Sequence, residues 1–157
     1  MMDLKQFRHS TQLRVRSYEV DWQGIVHNAN YLRYFEVGRI EYLKAIGASI
    51  DVETVMGSSK VVLVRHEIDY RGAARFDDRL TIFTRTAWIR NSSFAMEGII
   101  EDETTGRRIA ETVAVHVWLD PDTDRPQPVP EHFRERIRSF EGTNAEILLV
   151  KPGETTP

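Results

Sequence analysis

The residues best suited to chemistry follow one another from Asp21 to Tyr31, in the order Asp-Trp-Gln-Gly-Ile-Val-His-Asn-Ala-Asn-Tyr. One carboxylate, Asp21, precedes a tight turn at Gly24 and then a strongly helical stretch that begins near Asn28. The first turn of a helix has unpaired N–H groups and partial positive charge, so it can bind an oxyanion while a nearby carboxylate attacks or activates water. The segment therefore predicts hydrolysis of an activated carbonyl.

A structural role explains the same residues without chemistry. Aspartate a few positions before glycine is common in turns, and in this alternative Asp21 is only a turn or capping residue. Tyr31 lies at helical spacing from other apolar residues, which favours a place in the core. Glu36 is expected to pair with Arg39 or Arg33 on its own helix.

A strand and a long helix are predicted on either side of Asp21. Residues 11–20 alternate apolar and charged side chains, which indicates a half-exposed strand. From Asn28 to Ile46 two neighbouring apolar stripes at helical spacing predict a helix that is buried on several sides. Asn28 or Asn30 is expected to cap its start, and Gly47 to end it.

Four more strands and a short helix are predicted after a loop through Gly57. The fourth strand, residues 107–120, is apolar on both faces at its centre and is expected in the sheet interior. Residues 131–140 are expected to form the helix, with Phe133 and Ile137 facing inward. The order predicts an α+β domain in which an antiparallel five-stranded sheet wraps one long central helix. Each of the first three strands is expected to place one set of residues on a common face: Val62, Val64, His66, Ile68 and Tyr70; Leu80, Ile82, Thr84, Thr86 and Trp88; Phe94, Met96, Gly98 and Ile100.

Composition and charge narrow the function class. The chain has 157 residues, of which 41% are hydrophobic and 29% charged. This favours one domain over residues 1–157, with an ordered core at about 11–140 and an extension at 141–157. A net charge of -3 argues against nonspecific nucleic-acid binding. The absence of cysteine excludes disulfides and thiolate metal sites, the histidines are too scattered to predict a metal site, and no leader or membrane span is evident, so the cytoplasm is the expected location.

The junction Asp21-x-x-Gly24-Ile25-Val26-x-x-x-x-Tyr31 resembles that of the hotdog-fold acyl-CoA thioesterases of the 4-hydroxybenzoyl-CoA thioesterase and YbgC type. The resemblance implies the hotdog fold, an acyl-CoA substrate and no cofactor other than the CoA of the substrate. It extends over most of the chain through five further pieces: Tyr34-Phe35-Glu36, Ile68-Asp69-Tyr70, Ala73-Ala74-Arg75-Phe76-Asp77-Asp78, Ser93 and Pro130-Glu131.

Roles for individual residues follow from the same resemblance. It implies that Asp21 is the catalytic carboxylate and that a backbone N–H near Asn28 polarises the thioester carbonyl. Gly24, Val26 and Tyr31 are the implied substrate-binding residues. YbgC-type members often have histidine where this chain has Asn28, and the 4-hydroxybenzoyl-CoA enzyme has an aromatic residue there, so the acyl specificity is open.

Coenzyme A ends in a phosphorylated nucleotide, which predicts arginine and hydroxyl contacts outside the catalytic segment. The candidates are Arg71, Arg75, Arg90 and Ser93. The resemblance also implies a homodimer or homotetramer with active sites at subunit interfaces, so that Asp21 and the arginines come from different chains.

Two other functions remain open at this point. A hotdog hydratase or dehydratase pairs an acid with a histidine, and His27 follows Asp21 by six residues. A non-catalytic acyl-CoA binding or interaction domain would keep the fold without turnover. Thioester hydrolysis is favoured because the leaving thiolate has a conjugate-acid pKa of about 8.5, so one carboxylate, as nucleophile or general base, suffices.

Overall fold

One sheet carries a long helix on its inner face in the computed structural model, which describes residues 1–48 and 60–148. The sheet order is β1-β3-β4-β5-β2, with antiparallel neighbours, and the short β6 pairs in parallel with the end of β3. The predicted antiparallel sheet and central helix are thus confirmed, with a sixth strand added. The strands are β1 (His9–Arg14), β2 (Lys60–Tyr70), β3 (Arg79–Ile89), β4 (Ser93–Asp102), β5 (Arg108–Leu119) and β6 (Glu146–Ile147); the helices are α1 (Asn28–Ala45) and α2 (Glu131–Glu141).

The boundaries differ from the sequence predictions mainly before α1. β1 ends at Arg14 rather than at Val20, because a 3-10 turn, Ser17–Glu19, follows it. β5 lies between β4 and β2, so its predicted interior position is confirmed. The predicted loop through Gly57 and the tail after residue 150 lie outside the described residues.

The start of α1 is capped by His27, so the prediction of Asn28 or Asn30 as the cap is wrong. The His27 ring Nδ1 accepts from the Ala29 N–H at 3.2 Å. At the other end Gly47 has a φ of +74°, which suits glycine at the end of a helix, as predicted.

Helix α1 packs off-centre, against β1, β3 and β4. The apolar stripe with Tyr31, Tyr34 and Tyr42 is buried, whereas the neighbouring stripe is buried at Phe35 but 43% exposed at Leu32. The expectation of burial on several sides therefore holds only in part for a single chain, and among the described residues the side of α1 toward β2 has few contacts. The buried residues are Asn30, Tyr31, Tyr34, Phe35, Gly38 and Tyr42.

Bulges in β2 and β3 change which residues share a face. The register of β2 shifts between Leu63 and Arg65, and that of β3 shifts between Thr86 and Trp88. Before its bulge, Val62 pairs with Val117, so Val62 lies on the outer face, and Trp88 likewise lies outward. The predicted faces are therefore wrong at these two positions. The inner face of β2 carries Leu63, His66, Ile68 and Tyr70.

The core consists of two clusters at opposite ends of α1. The first lies beneath the junction of β1 and α1 and includes Tyr31, Tyr34, Phe35, Leu80 and Ile82. The second is covered by α2, whose Phe133 and Ile137 face inward as predicted, and includes Tyr42, Phe94 and Trp118. Burial of each large side chain stabilises the fold by about 1.5–3 kcal/mol, so both ends of α1 are firmly fixed.

Candidate active site

The chain between β1 and α1 forms a loop that closes on itself. Val20 and Val26 form an antiparallel bridge, and the Asp21 N–H donates to the Ile25 carbonyl at 2.9 Å. Gly24 at the tip has a φ of +73°, a conformation that glycine adopts without strain. The sequence pattern of an acid followed by a glycine turn thus produces a rigid loop that presents Asp21.

Glu19 fastens this loop to α1. Its Oε2 accepts from the Arg16 N–H at 2.7 Å and from the Tyr34 hydroxyl at 2.8 Å, while Oε1 accepts from the Arg16 guanidinium. Its backbone carbonyl accepts from the His27 N–H at 2.9 Å and from Asn30 Nδ2 at 2.8 Å. Burial opposes ionisation, but these hydrogen bonds from Arg16 and Tyr34 outweigh it and lower the pKa of Glu19.

An open cavity of about 650 Å³ lies where the loop, the start of α1 and the end of β2 meet. Asp21 and Asn28 both line it, together with Val26, Tyr31 and Arg71, so a single chain brings Arg71 to the cavity of its own Asp21, although the resemblance implied that the arginines come from a different chain. Gly24 and Arg75 are not among the lining residues. The lining consists of Asp21, Trp22, Gln23, Ile25, Val26, His27, Asn28, Tyr31, Tyr70, Arg71, Gly72 and Ala73.

Asp21 has a structural contact and a free oxygen. Its Oδ1 accepts from the Gln23 N–H at 2.8 Å, as in an Asx turn. Within residues 1–48 and 60–148, no group donates a hydrogen bond to Oδ2 and none accepts one from the Asn28 N–H. The cavity is therefore lined by residues that offer a carboxylate oxygen and an unpaired helix N–H.

Two tyrosines join the start of α1 to the end of β2. The Tyr70 hydroxyl donates to the Asn28 carbonyl at 3.2 Å, and its ring lies 5.5 Å from that of Tyr31. The Tyr31 hydroxyl in turn accepts from the Ala74 N–H at 3.2 Å. Tyr31 is thus both a buried residue and part of the cavity wall. Tyr70 was missed as a site residue, although its place on the inner face at the end of β2 was a usable signal.

Two of the predicted CoA contacts lie at or beside the cavity. Arg71 lines it and pairs with Asp69 and with the buried Glu111, at 3.2 Å each. Arg75 lies in the adjoining loop, where its backbone bridges to Ile25. Arg71 therefore lines the cavity, and Arg75 lies in a loop beside it.

Arg90 and Ser93 lie at the other end of the sheet, Arg90 in the turn after β3 and Ser93 at the first position of β4. β3 is 11 residues long, which separates this turn from the cavity by about 30 Å within one chain. Arg90 contacts Glu146 at 3.8 Å and the Trp88 ring. A single chain does not bring Arg90 and Asp21 to the same ligand.

The described residues also bear on the predicted metal and membrane partners. In the described part of the chain, no group of three or more His, Asp or Glu side chains could hold a metal ion. No helix of the described residues is both long and apolar enough to cross a membrane. The cytoplasmic location and the absence of a cofactor stay predictions.

Comparison with known proteins reveals a family and several relatives. Residues 15–137 match the model described as the thioesterase-like superfamily. An acyl-CoA thioester hydrolase, YbgC, from Escherichia coli is 30% identical over 121 residues, which are 76% of this chain and 87% of the relative. An acyl-acyl carrier protein thioesterase, ATL2, from Arabidopsis thaliana is 30% identical over 133 residues, which are 85% of this chain and 70% of the relative.

A solved structure supports the same grouping. A thioesterase from Thermus thermophilus, crystallised with coenzyme A and zinc, superimposes with a TM-score of 0.76 at 34% identity. The match covers 88% of this chain and 98% of the other. Sequence and fold therefore agree over the region that contains the cavity.

Proposed function

Because the chain belongs to the thioesterase-like superfamily and is a thioester hydrolase with the hotdog fold, we propose that it hydrolyses an acyl-CoA to a carboxylic acid and free CoA. Asp21 is the catalytic carboxylate and the Asn28 N–H polarises the carbonyl. The observation that carries this proposal is the one cavity that Asp21 and Asn28 both line. The turn contact of Asp21 occupies only Oδ1, which leaves Oδ2 for the reaction.

The chemistry follows from these two groups. The thioester oxygen accepts from the Asn28 N–H, where the helix start carries partial positive charge. Asp21 either attacks the carbonyl carbon to form an anhydride that water then opens, or takes a proton from the attacking water. The C–S bond breaks and the thiolate leaves with the electron pair. An oxyanion donor raises the reaction rate about 10²- to 10³-fold, and a general base raises it about 10²- to 10⁴-fold.

The CoA portion is proposed to extend from the cavity past Arg71 and Arg75. Their guanidinium groups suit phosphate oxygens. Gly24 acts indirectly, since its turn fixes the loop that presents Asp21.

A homodimer, alone or within a tetramer, is proposed as the active form. β2 lies at the edge of the sheet and exposes Val61, Leu63 and Val64, at 41%, 47% and 57%. An edge strand with exposed apolar side chains is a ready site for pairing with a second copy. In such a dimer, Arg90 and Ser93 of one chain serve the Asp21 cavity of the other.

An acyl carrier protein, in place of CoA, is the second candidate for the thiol that carries the acyl group of the substrate, because the Arabidopsis relative is named for it. Both carriers present the acyl group on the same kind of thiol arm, so the cavity alone does not separate them. Matched acyl-CoA and acyl-carrier-protein substrates, compared by kcat/KM, distinguish the two. A higher value with the carrier protein would replace CoA as the proposed carrier.

Substitution of Asp21 by Asn is the direct test of the mechanism. We expect thiol release from acyl-CoA to fall by at least about 10²-fold, since the nucleophile or base is lost, while the fold and CoA binding persist. Asp122→Asn, at an exposed hairpin, is the matched control and should retain activity.

Three outcomes would contradict the proposal. Full thiol release by Asp21→Asn would remove Asp21 from the reaction. No turnover of any acyl-CoA by the wild-type chain, with CoA still bound, would indicate a binding domain. Water addition to enoyl-CoA that depends on His27, without thiol release, would indicate a hydratase.

A further inference from the structure

Three basic side chains converge on the inner face of the sheet, outside the cavity. Arg39 on α1 places Nη1 at 2.9 Å from Nε2 of His116 on β5. His66 on β2 places Nε2 at 2.8 Å from the Thr112 hydroxyl. His66 pairs with Ala114, which lies between Thr112 and His116 on the same face. The proposed hydrolysis uses none of these side chains.

The hydrogen bonds fix where the protons lie. A guanidinium only donates, so His116 Nε2 accepts and the neutral ring carries its proton on Nδ1. The Thr112 hydroxyl donates to the Glu67 carbonyl at 2.8 Å, so His66 Nε2 donates to Thr112 and its Nδ1 is left for another partner. Burial and the charge of Arg39 lower the pKa of both rings, that of His116 to about 4.

The cluster therefore carries one formal positive charge, on Arg39, which pairs with Glu36, and the guanidinium has N–H groups without a partner among the described residues. Arg39 has five N–H groups, of which one reaches His116 and one reaches Glu36 at 3.1 Å. The Glu36 side chain is 57% exposed, so solvent screens its charge. A carboxylate would accept from the remaining Arg39 donors and from His66 once Nδ1 is protonated, which makes an anionic oxygen group the complementary ligand.

The distance from the cavity to the cluster matches the length of a medium-chain acyl group. Along α1, Asn28 and Arg39 are 11 residues apart, or about 16 Å. Along β2, Tyr70 and His66 are four residues apart, or about 13 Å. An extended chain advances about 1.2 Å per bond, so these distances correspond to about 11 to 13 bonds.

Two apolar side chains lie between the cavity and the cluster. Leu32 shares a side of α1 with Glu36 and Arg39, and it is 43% exposed. Ile68 lies between Tyr70 and His66 on the inner face of β2. Within residues 1–48 and 60–148, α1 packs mainly against β1, β3 and β4, so a hydrocarbon chain is proposed to lie along the seam between α1 and β2.

We propose that Arg39 and His66 bind a carboxylate at the far end of the acyl group, with His116 holding the Arg39 guanidinium in place. The preferred substrate is then the mono-CoA thioester of a medium-chain dicarboxylic acid, whose methylene chain lies along Leu32 and Ile68. This inference rests on the proposed thioesterase function and names the substrate class for the same site.

The kinetic test compares dodecanedioyl-mono-CoA with dodecanoyl-CoA. For the wild type we expect at least tenfold higher kcat/KM with the dicarboxylic substrate. Arg39→Met keeps the aliphatic stem but removes the charge, so kcat/KM should become equal for the two substrates. Arg33→Met, an exposed arginine on the same helix, should keep the wild-type preference. Equal values in the wild type, or a preference that survives in Arg39→Met, would overturn the proposal.

A binding measurement separates this inference from the proposed function. Free dodecanedioate should raise the pKa of His66, measured by imidazole NMR, whereas 1-dodecanol, which has the chain but no carboxylate, should not. The Asp21→Asn variant should show the same shift. If no thioester is hydrolysed but dodecanedioate still binds in this way, the proposed function fails and the carboxylate site stands. Absence of the shift, or an equal shift with 1-dodecanol, refutes the carboxylate site even if thioesters are hydrolysed.

Discussion

Asp21 combines in one side chain the two roles that the sequence presents as alternatives. Oδ1 is held by the Gln23 N–H in the turn, and Oδ2 is left for the proposed reaction. A hydrogen bond to one carboxylate oxygen fixes the orientation of the other, so the turn contact preorganises the acid instead of competing with it.

Glu19 is the residue on which this placement depends, and Glu19→Gln is expected to lower kcat by about tenfold or more. The amide loses the ion pair with Arg16, so the loop that holds Asp21 shifts relative to α1, and small displacements of a reacting group are costly. Tyr34→Phe removes only one hydrogen bond to Glu19 and should cost about 1 kcal/mol of stability. Steady-state kinetics measures kcat of Glu19→Gln, and urea unfolding measures the stability of Tyr34→Phe. An unchanged kcat in Glu19→Gln would contradict the proposed role of Glu19.

The effect of Glu19→Gln on the free energy of unfolding is expected to depend on pH. The pKa of Glu19 is lowered from its ordinary value of 4.5 in the fold, so ionised Glu19 stabilises the protein above that pH. This contribution is lost as the pH falls below about 4.5 and through the folded-state pKa. The difference in free energy of unfolding between wild type and Glu19→Gln should therefore be full at pH 7 and shrink in acid, as urea titrations at several pH values would show.

At the scale of single elements, the sequence predicted α1 and its end at Gly47 but not which side of α1 is buried. Both apolar stripes fit a buried helix, and only the contact with β1, β3 and β4 selects the one with Tyr34 and Gly38. The cap was wrong for a related reason. Asn30 has the preferred residue type, but its side chain is engaged by the Glu19 carbonyl, and the His27 ring takes its place.

The bulges show a second limit of sequence periodicity. The sequence prediction continues the alternation along the whole of β2 and β3. In the structure each strand has one register shift, which turns Val62 and Trp88 outward. The alternation along β2 places Tyr70 on the inner face at the end of the strand, but it does not show that this end meets the start of α1, where the Tyr70 hydroxyl donates to the Asn28 carbonyl.

Gly38 marks the closest approach of α1 to the sheet, and Gly38→Ala is expected to destabilise the protein by about 1 kcal/mol. A Cβ at this position would lie 2.6 Å from Ile82 Cγ2 and 2.7 Å from Thr84 Oγ1. Overpacking of this kind costs about 1–3 kcal/mol, and the better helix propensity of alanine offsets about 1 kcal/mol of it. Urea unfolding measures the change in stability, with Val37→Ala at an exposed position as the control. Equal stability of Gly38→Ala and wild type would show that the contact between α1 and the sheet adjusts to a Cβ without cost.

For the whole molecule, the position of Arg90 and the exposed edge of β2 lead to the same inference. Arg90 is about 30 Å from the Asp21 cavity along β3, so in the proposed CoA site it would come from another copy. The resemblance implied such sharing for all the arginines; Arg71 instead lines the cavity of its own chain, and the edge position of β2 leaves the sharing possible for Arg90.

A mixed dimer tests this sharing directly. In the proposed homodimer, Asp21→Asn is expected to impair both sites through the chemistry, and Arg90→Glu is expected to impair both through a raised KM. If each site takes Asp21 from one chain and Arg90 from the other, a heterodimer of the two variants contains one intact site and one doubly altered site. Its activity at low substrate should then return to about half that of wild type. If both residues serve one site within a single chain, every site carries one substitution and mixing restores nothing. Differently tagged chains, purified as the heterodimer and assayed for thiol release, decide between the two arrangements.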